Sequence, residues 1–376
     1  MKKIASEMML TLLLVGMLTL VFNIQPVKAS GTIYIRADGS IDPPDAPITT
    51  YDNVTYTLTD NITSTADGIV VERSNIIIDG NRYTLQGNGG ENGFRLDSVS
   101  NVTIENTNIK GFKRGVYFSS TSHNIIFGNN ITANEWFGIC FGDSLNNIVA
   151  NNSITNNGDG IWLDDSSNYN VISGNNITYN SYHGIYLDWS SYNSISRNNI
   201  NNTFRSIYLY GSSYNNISGN NITNDTHCGI CLISSSNNVI VHNNFIGNAE
   251  QVYSYLSVNV WDDGYPSGGN YWSDYNGTDL YSGSYQNETG SDGIGDTGYV
   301  IDVNNTDNFP LMGMFSDFKA TSEHHVQTIC DSTISDFQFN GTAISFNVTG
   351  EDGTTGFCRI CVPTTLMNDT YKVFVN

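Results

Sequence analysis

Apolar residues recur along this chain at two periods, a short alternation nested inside a much longer repeat. The phrase G-I-x-L-x-x-S-S-x-N-x-I-x-x-N-N-I-T returns with variations. It opens at Gly93, Gly115, Gly138, Gly160, Gly184, Ser206 and Gly229, so successive copies start 22–24 residues apart. A less regular copy opens near Gly68, and Gln251-Val252-Tyr253 begins a degenerate last one. Each copy holds three short alternating runs, such as Gly184-Ile185-Tyr186-Leu187, Asn193-Ser194-Ile195 and Asn198-Asn199-Ile200. Period-two alternation marks strands, and nothing between the runs has helical spacing. Three strands in one repeat cannot bury their own apolar face. Coaxial stacking lets each strand pair with its counterpart in the next copy, giving three parallel sheets around one core. The reading is an all-β, right-handed parallel β-helix of about eight coils, each 22–24 residues long.

The inward rows follow from the register. On the first strand they are Phe94, Val116, Ile139, Ile161, Ile185, Ile207 and Ile230, then Leu96, Phe118, Phe141, Leu163, Leu187, Leu209 and Leu232. The second strand adds Ile104 through Ile240 and the third Ile109 through Phe245, like over like at about 4.8 Å. Asn129, Asn152, Asn175, Asn198, Asn220 and Asn243 fall in register at the turn before the third strand. Stacked amides bond along the axis and Asn tolerates left-handed turns, so these read as a structural ladder.

Open ends of such a stack need covers. Residues 30–67 read as the N-terminal cap, 68–253 as the helix, and 254–314, rich in Tyr, Trp, Gly and Asp, as the C-terminal cap. Periodicity ends near Phe315. The stretches Thr333–Phe339, Ala343–Val348, Phe357–Val362 and Tyr371–Val375 read as strands of a small β-sandwich-like module over 315–376, expected to be incomplete because it stops in mid-strand. Surface attachment through a missing C-terminal region is the corresponding expectation.

At the other end, Lys2 and Lys3 precede an apolar run from Met8 to Phe22, and Val27-Lys28-Ala29 offers a small-residue cleavage site. Residues 1–29 thus read as a signal peptide, which sends the rest out of the cytoplasm to the extracellular space or cell surface. Its removal shifts the formal charge from −21 to −23. So acidic a surface repels phosphate backbones, which argues against nucleic acid as partner. Sixteen Asn-x-Ser/Thr sequons run from Asn53 to Asn368, many generated by the repeat itself, and glycosylation is expected only where the chain meets the machinery.

The repeat Gly160–Thr178, G-I-W-L-D-D-S-S-N-Y-N-V-I-S-G-N-N-I-T, resembles the coils of NosD-type β-helix proteins, in the carbohydrate-binding and sugar-hydrolase group of the pectin-lyase-like superfamily. The entry segment Gly31–Pro44, the exit segments Gly269–Tyr275, Asp292–Tyr299 and Asn308–Met312, and the tail Ser345–Cys358 resemble archaeal surface members of that group. The resemblance implies the fold. It leaves activity open, because the fold hosts lyases, hydrolases, binders and spacers.

Three rows of the first sheet are expected to face solvent, and coils 160, 184 and 206 gather chemistry there. Trp162, Tyr186, Tyr208 and Tyr210 lie beside Asp159, Asp164, Asp165, His183, Asp188 and Arg205. Flat rings suit sugar faces and polar neighbours suit hydroxyls, so a polysaccharide or glycoprotein glycan is the expected partner. The plainer alternative is that exposed aromatics simply stabilise strands. Asp164, Asp188 and His183 are the candidates for catalysis, since adjacent rungs place carboxylates near the spacing of retaining glycosidases. Every in-register Asp pair has that spacing, however, and the signatures N-T-D and G-H-G of polygalacturonases are absent. Binding is preferred to lyase or hydrolase activity and to a structural stalk.

No cofactor is required by this reading. The Asp292-Gly293-Ile294-Gly295-Asp296 loop with Asp302 and Asp307 has the character of a Ca²⁺ site, although it lacks the full D-x-D-x-D-G pattern. The NosD resemblance raises copper delivery for nitrous oxide reductase maturation, for which His227-Cys228-x-x-Cys231 supplies soft donors. A straight strand would point Cys228 and Cys231 apart, which disfavours copper there. Cys140 and Cys231 are too distant to bond, Cys330 with Cys358 or Cys361 is feasible, and the others are expected free.

Overall fold

A computed structural model describes residues 31–350, 353, 356–368 and 372–374. The signal-peptide reading of 1–29 lies outside the described residues. The described elements are strands, stacked as a parallel β-solenoid of about nine turns. The first sheet has 11 strands and the second and third have 10 each. The first runs from Ile33–Ile35 through Arg114–Ser119, Asp159–Asp164, His183–Asp188 and Arg205–Tyr210 to Glu250–Tyr255. Ile161, Ile185 and Ile207 are paired in direct register, as are Trp162, Tyr186 and Tyr208.

The apolar rows named above form one continuous core in which Ile161, Ile185, Ile207 and Ile230 are fully buried. The sheets also take in strands Ile33–Ile35, Thr55–Leu58 and Ile62–Ser64, so coiling starts within the segment read as the N-terminal cap. Tyr56 is buried there and donates its hydroxyl to Gly39 O at 2.8 Å.

The amide ladder before the third strand is present and buried. Asn175 Oδ1 accepts from Asn152 N at 2.9 Å and Nδ2 at 3.0 Å, while Asn175 Nδ2 donates to Val149 O at 2.9 Å and Asn198 Oδ1 at 3.0 Å. Each buried turn group is satisfied by the next coil, which removes the cost of enclosing it. Parallel series run along other corners, through Asn124, Asn147, Asn170 and Asn193, and through Ser144, Ser167, Ser190 and Ser212.

At the far end the apolar stack closes on rings. Trp272 lies between Phe245 and Tyr299, with centroids 4.3 Å from each, and Trp261 is buried beside it. Buried Asp307 accepts from Trp272 Nε1 at 2.9 Å and Asn270 N at 2.7 Å, and Asn305 Oδ1 accepts from Trp261 Nε1 at 3.0 Å.

The tail folds as two small antiparallel sheets. Strands Met314–Lys319, His325–Cys330 and Cys358–Cys361 form one, and Thr333–Phe339 with Ile344–Thr349 the other. The first two of these strands went unread in the sequence, and described residues 372–374 of the expected Tyr371–Val375 strand carry none. The tail docks on the solenoid. Phe315 exchanges two 2.8 Å hydrogen bonds with the Asn244 side chain and stacks on His242, and Arg197 pairs with Asp317.

Candidate functional site

The site depends on a corner at the opening glycine. In the strand Asp159–Asp164 both Gly160 and Ile161 are buried, as are both Gly184 and Ile185 in His183–Asp188. Two consecutive inward residues break the alternation of a flat strand, so the chain bends there. Cys228 and Cys231 show the result: their Cα atoms are 6.1 Å apart, where three residues of straight strand span about 10 Å. A glycine fits this corner because an added Cβ at Gly160 would meet Gly184 O at 2.5 Å and Ile177 Cγ2 at 2.8 Å. The bend brings the outer residue before the glycine beside the outer residue two after it. Rows that looked separate in the sequence therefore form one stripe.

Along that stripe the rings are continuous. Phe137 lies 4.5 Å from Trp162, Trp162 is stacked 6.1 Å from Tyr186, and Tyr186 is stacked 4.9 Å from Tyr208. His183 joins from the neighbouring row, 5.0 Å from Tyr186 and 5.1 Å from Tyr208. Its Nδ1 donates to Asp159 Oδ1 at 2.8 Å, and that same oxygen accepts the His183 backbone N–H at 2.8 Å. This fixes the tautomer, so Nε2 accepts from Arg205 Nη1 at 3.0 Å. Arg205 in turn lies over Tyr208 at 5.0 Å, a cation–π contact.

The carboxylates border the rings. Asp164 and Asp188 are both partly buried, and both titrate above the ordinary carboxylate range. Burial is the main cause in each; for Asp164 the charges of Asp165 and Asp188 add to it, and for Asp188 that of Asp165. The Tyr186 hydroxyl bonds Asp188, and burial with that carboxylate raises the phenol's pKa. Trp162 Nε1, Asp188 Oδ1 and Arg205 Nε are enclosed without a hydrogen-bond partner among the described residues. Tyr210 stands exposed with its ring edge on Trp189, while Asp165 occupies a left-handed turn residue at φ 48°.

Several expected positions need correction. Asp159, expected to face solvent, is buried, and so are Cys140, Cys228 and Cys231 in the same outer rows. Small side chains at these positions are overlaid by larger neighbours: Cys140 sits one rung from both Tyr117 and Trp162, and burial pushes its thiol up to about 12. Cys228 and Cys231 form a disulfide, against the straight-strand expectation, because the corner at Gly229 turns them together. Cys330 and Cys358 face each other in register yet are free, as is Cys361.

The four aspartates of the expected Ca²⁺ loop do not converge. Asp292 accepts from Ile294 N, Asp296 from Leu280 N and Tyr281 N, Asp302 from Asn304 N, and Asp307 is sequestered against Trp272. Asp292 and Asp302 thus close their own turns, Asp296 ties the loop to Leu280 and Tyr281, and Asp307 is held in the core.

Sequence reasoning missed a second aromatic row. Tyr169, Tyr192 and Tyr214 stack at 5.2 Å intervals on the turn after the first strand, and all are exposed. Each has φ 60°, a conformation that disfavours bulky side chains; Asn75, Asn101, Asn146 and Asn237 have similar φ values at in-register or equivalent turns. Tyrosine three times running at a position suited to Asn was the available signal.

Residues 135–277 match the family model of the periplasmic copper-binding protein (NosD), and residues 67–186 that of the right handed beta helix region. The coils within 135–277 are thus similar to those of NosD proteins, and those within 67–186 to the right-handed β-helix region. Solved structures are similar to the chain at low identity. A periplasmic alginate epimerase is 15% identical with a TM-score of 0.42, covering 60% of this chain and 72% of its own. The Azotobacter vinelandii mannuronan C-5 epimerase A-module is 15% identical with a TM-score of 0.41, covering 63% and 92%. The Dettilon tailspike protein is 15% identical with a TM-score of 0.48, covering 80% and 70%. No curated protein matches the sequence.

Copper in the NosD description calls for soft or imidazole donors. Among the described residues, one group of three His, Cys, Asp or Glu has all its donor atoms within 4.8 Å of one another: His227, Cys228 and Cys231. The donor types fit copper when the two sulfurs are thiolates. While they are bonded to each other they do not.

Proposed function

We propose that the NosD-type coils carry a carbohydrate-binding surface on the first sheet, centred on Trp162, Tyr186 and Tyr208 and bordered by Asp159, Asp164, Asp165, His183, Asp188, Arg205 and Tyr210. The carrying observation is the continuous run of partly exposed rings, Phe137 to Tyr208, locked in place by the Asp159–His183–Arg205 chain. Ring faces one rung apart offer apolar area to successive sugars, and a fixed guanidinium and carboxylates meet hydroxyls without an ordering cost on binding. Work at the cell exterior accords with the leader read over residues 1–29, and no helix among the described residues is long and apolar enough to cross a membrane.

The test is a polysaccharide and glycan array probed with wild type and Trp162→Ala. Wild type retains at least one neutral or cationic glycan, and the variant loses about tenfold in affinity, the worth of one ring contact. Retention that is equal in both proteins, or none by wild type, removes the reading. Measuring reducing ends and unsaturated uronates on the same panel separates binding from turnover.

A further inference from the structure

Four cysteines are free among the described residues, and the tail sheet sets two of them face to face. Cys330 ends the strand His325–Cys330 and Cys358 opens Cys358–Cys361, and the two are direct partners. In the next pair along, Asp331 N donates to Phe357 O at 3.4 Å. Hydrogen-bonded and non-hydrogen-bonded pairs alternate in an antiparallel ladder, so Cys330 and Cys358 form a non-hydrogen-bonded pair. Such a pair sets its Cα atoms about 4.5 Å apart, inside the span of about 4.4–6.8 Å that a disulfide bridges. The two thiols hydrogen-bond each other. Cys361, three residues on, belongs to the opposite face, and its cross-strand partner is Gln327. Cys140 is buried in the solenoid, one rung from Tyr117 and Trp162.

We propose that Cys330 and Cys358 are a site of oxidative modification, joined by a small-molecule disulfide oxidant into a bond that staples the docking strand of the tail. Cys358 is partly exposed and Cys330 is 2% exposed, so the Cys358 sulfur meets the oxidant first. The Cys358 thiol gives up its proton, its sulfur attacks one sulfur of the oxidant, and one thiol leaves with that proton. Cys330 then attacks Cys358 Sγ, and its proton departs with the second thiol. Two electrons and two protons pass from the protein to the oxidant, which is reduced to two thiols. Burial pushes the Cys358 thiol up to about 12, with the Cys330 hydrogen bond adding to it. The first step is therefore slow near neutrality and faster in alkali.

The bond falls where the tail is thinnest. Cys358–Cys361 is an edge strand paired to His325–Cys330 alone among the described residues, yet it carries contacts to the C-terminal cap. Arg359, next to Cys358, donates to Pro266 O at 2.7 Å and to Asp292 O at 3.3 Å. Phe357, on the other side, packs against the cluster of Ile294, Leu311, Phe315 and Ile329. Cross-linking closes the loop that holds Thr333–Phe339 and Ile344–Thr349, which leaves the unfolded chain fewer conformations to gain. The bonded Cys228–Cys231 pair accords with an oxidising exterior. This inference does not depend on the glycan reading, and its test does not touch Trp162.

The experiment uses the full chain, purified without reductant and incubated with oxidised glutathione in mild alkali. The protein is then denatured, alkylated and digested without reduction. Mass spectrometry is expected to find one new linked peptide joining Cys330 to Cys358, with alkylation left on Cys140 and Cys361 of the four free cysteines. Amide hydrogen exchange over Cys358–Cys361 should slow by about tenfold on oxidation, because the edge strand opens less often. Cys361→Ser keeps both results. Cys330→Ser loses both and traps the oxidant as a mixed disulfide on Cys358. Alkylation of all four cysteines after oxidation, or Cys361 in the linked peptide, overturns the proposal, and so does a cross-link that leaves exchange unchanged. The mapping is made on wild type, so it stays decisive even if Cys330→Ser fails to fold.

Discussion

Asp159 Oδ1 receives two hydrogen bonds from His183 in the next coil, one from its ring and one from its backbone. The pair fixes both the imidazole plane against Tyr208 and the strand that carries it. Asp159→Asn keeps an oxygen acceptor there, whereas Asp159→Ala leaves two donors unmet. The alanine variant should therefore lose about 1–3 kcal/mol of stability and more glycan affinity than the asparagine variant. Urea unfolding and glycan titration check this; equal behaviour of the two variants would show that the bonds do not hold the ring.

Neighbouring asparagines should have opposite fates. Asn175 is buried and serves four hydrogen bonds of the ladder, while Asn176 is exposed on the third sheet. Asn175→Ala is expected to cost about 2–4 kcal/mol, because it strands Asn152 N–H and Val149 C=O in the core. Asn176→Ala should stay within about 0.5 kcal/mol of wild type. Chemical denaturation of both variants measures the contrast.

Asp225 is a buried carboxyl whose pKa is raised to about 7, chiefly by burial. An acid raised on folding binds its proton more tightly in the native state, so its contribution is full below the unfolded value near 4 and is lost as pH rises toward 7. Stability attributable to this group should fall by about 3 kcal/mol between pH 5 and pH 8. Asp225→Asn mimics the neutral form, keeping an acceptor for Thr203 and offering a donor to Ser206 Oγ. It should match wild type at pH 5 and exceed it at pH 8. Urea melts at the two pH values, compared between the two proteins, isolate Asp225 from Asp307, which burial also raises to about 7. A pH-independent difference would refute the assignment.

Thr203, Ser206 and Asp225 replace residues that are Asn157, Gly160 and Asn180 in earlier coils, and Asp225 accepts from both of the others. Among the openers from Gly93 to Gly229, Ser206 alone is not glycine, and its hydroxyl finds Asp225. Gly160→Ser alone should cost about 1–3 kcal/mol through overpacking against Gly184 O. Adding Asn157→Thr and Asn180→Asp should recover more than about 1 kcal/mol of it at pH 5. A multiple-mutant cycle followed by thermal unfolding gives the coupling; strict additivity would mean that the triad is incidental.

The linear chain determined which residues lie over which. Ile161, Ile185 and Ile207 stack because a repeat of 22–24 residues leaves like side chains nowhere else to go, and local alternation tells inside from outside. The ladder of Asn152, Asn175 and Asn198 was legible for the same reason. Tertiary structure alone decided how the rows meet around a corner. Two inward residues in succession at Gly184-Ile185 or Gly229-Ile230 are invisible to a period-two pattern, because the bend arises from closing the coil onto its neighbours. That bend sets His183 against Tyr186 and joins Cys228 to Cys231. Partners distant along the chain, such as Asn244 with Phe315 or Asp307 with Trp272, likewise follow from docking geometry, which carries no period to read.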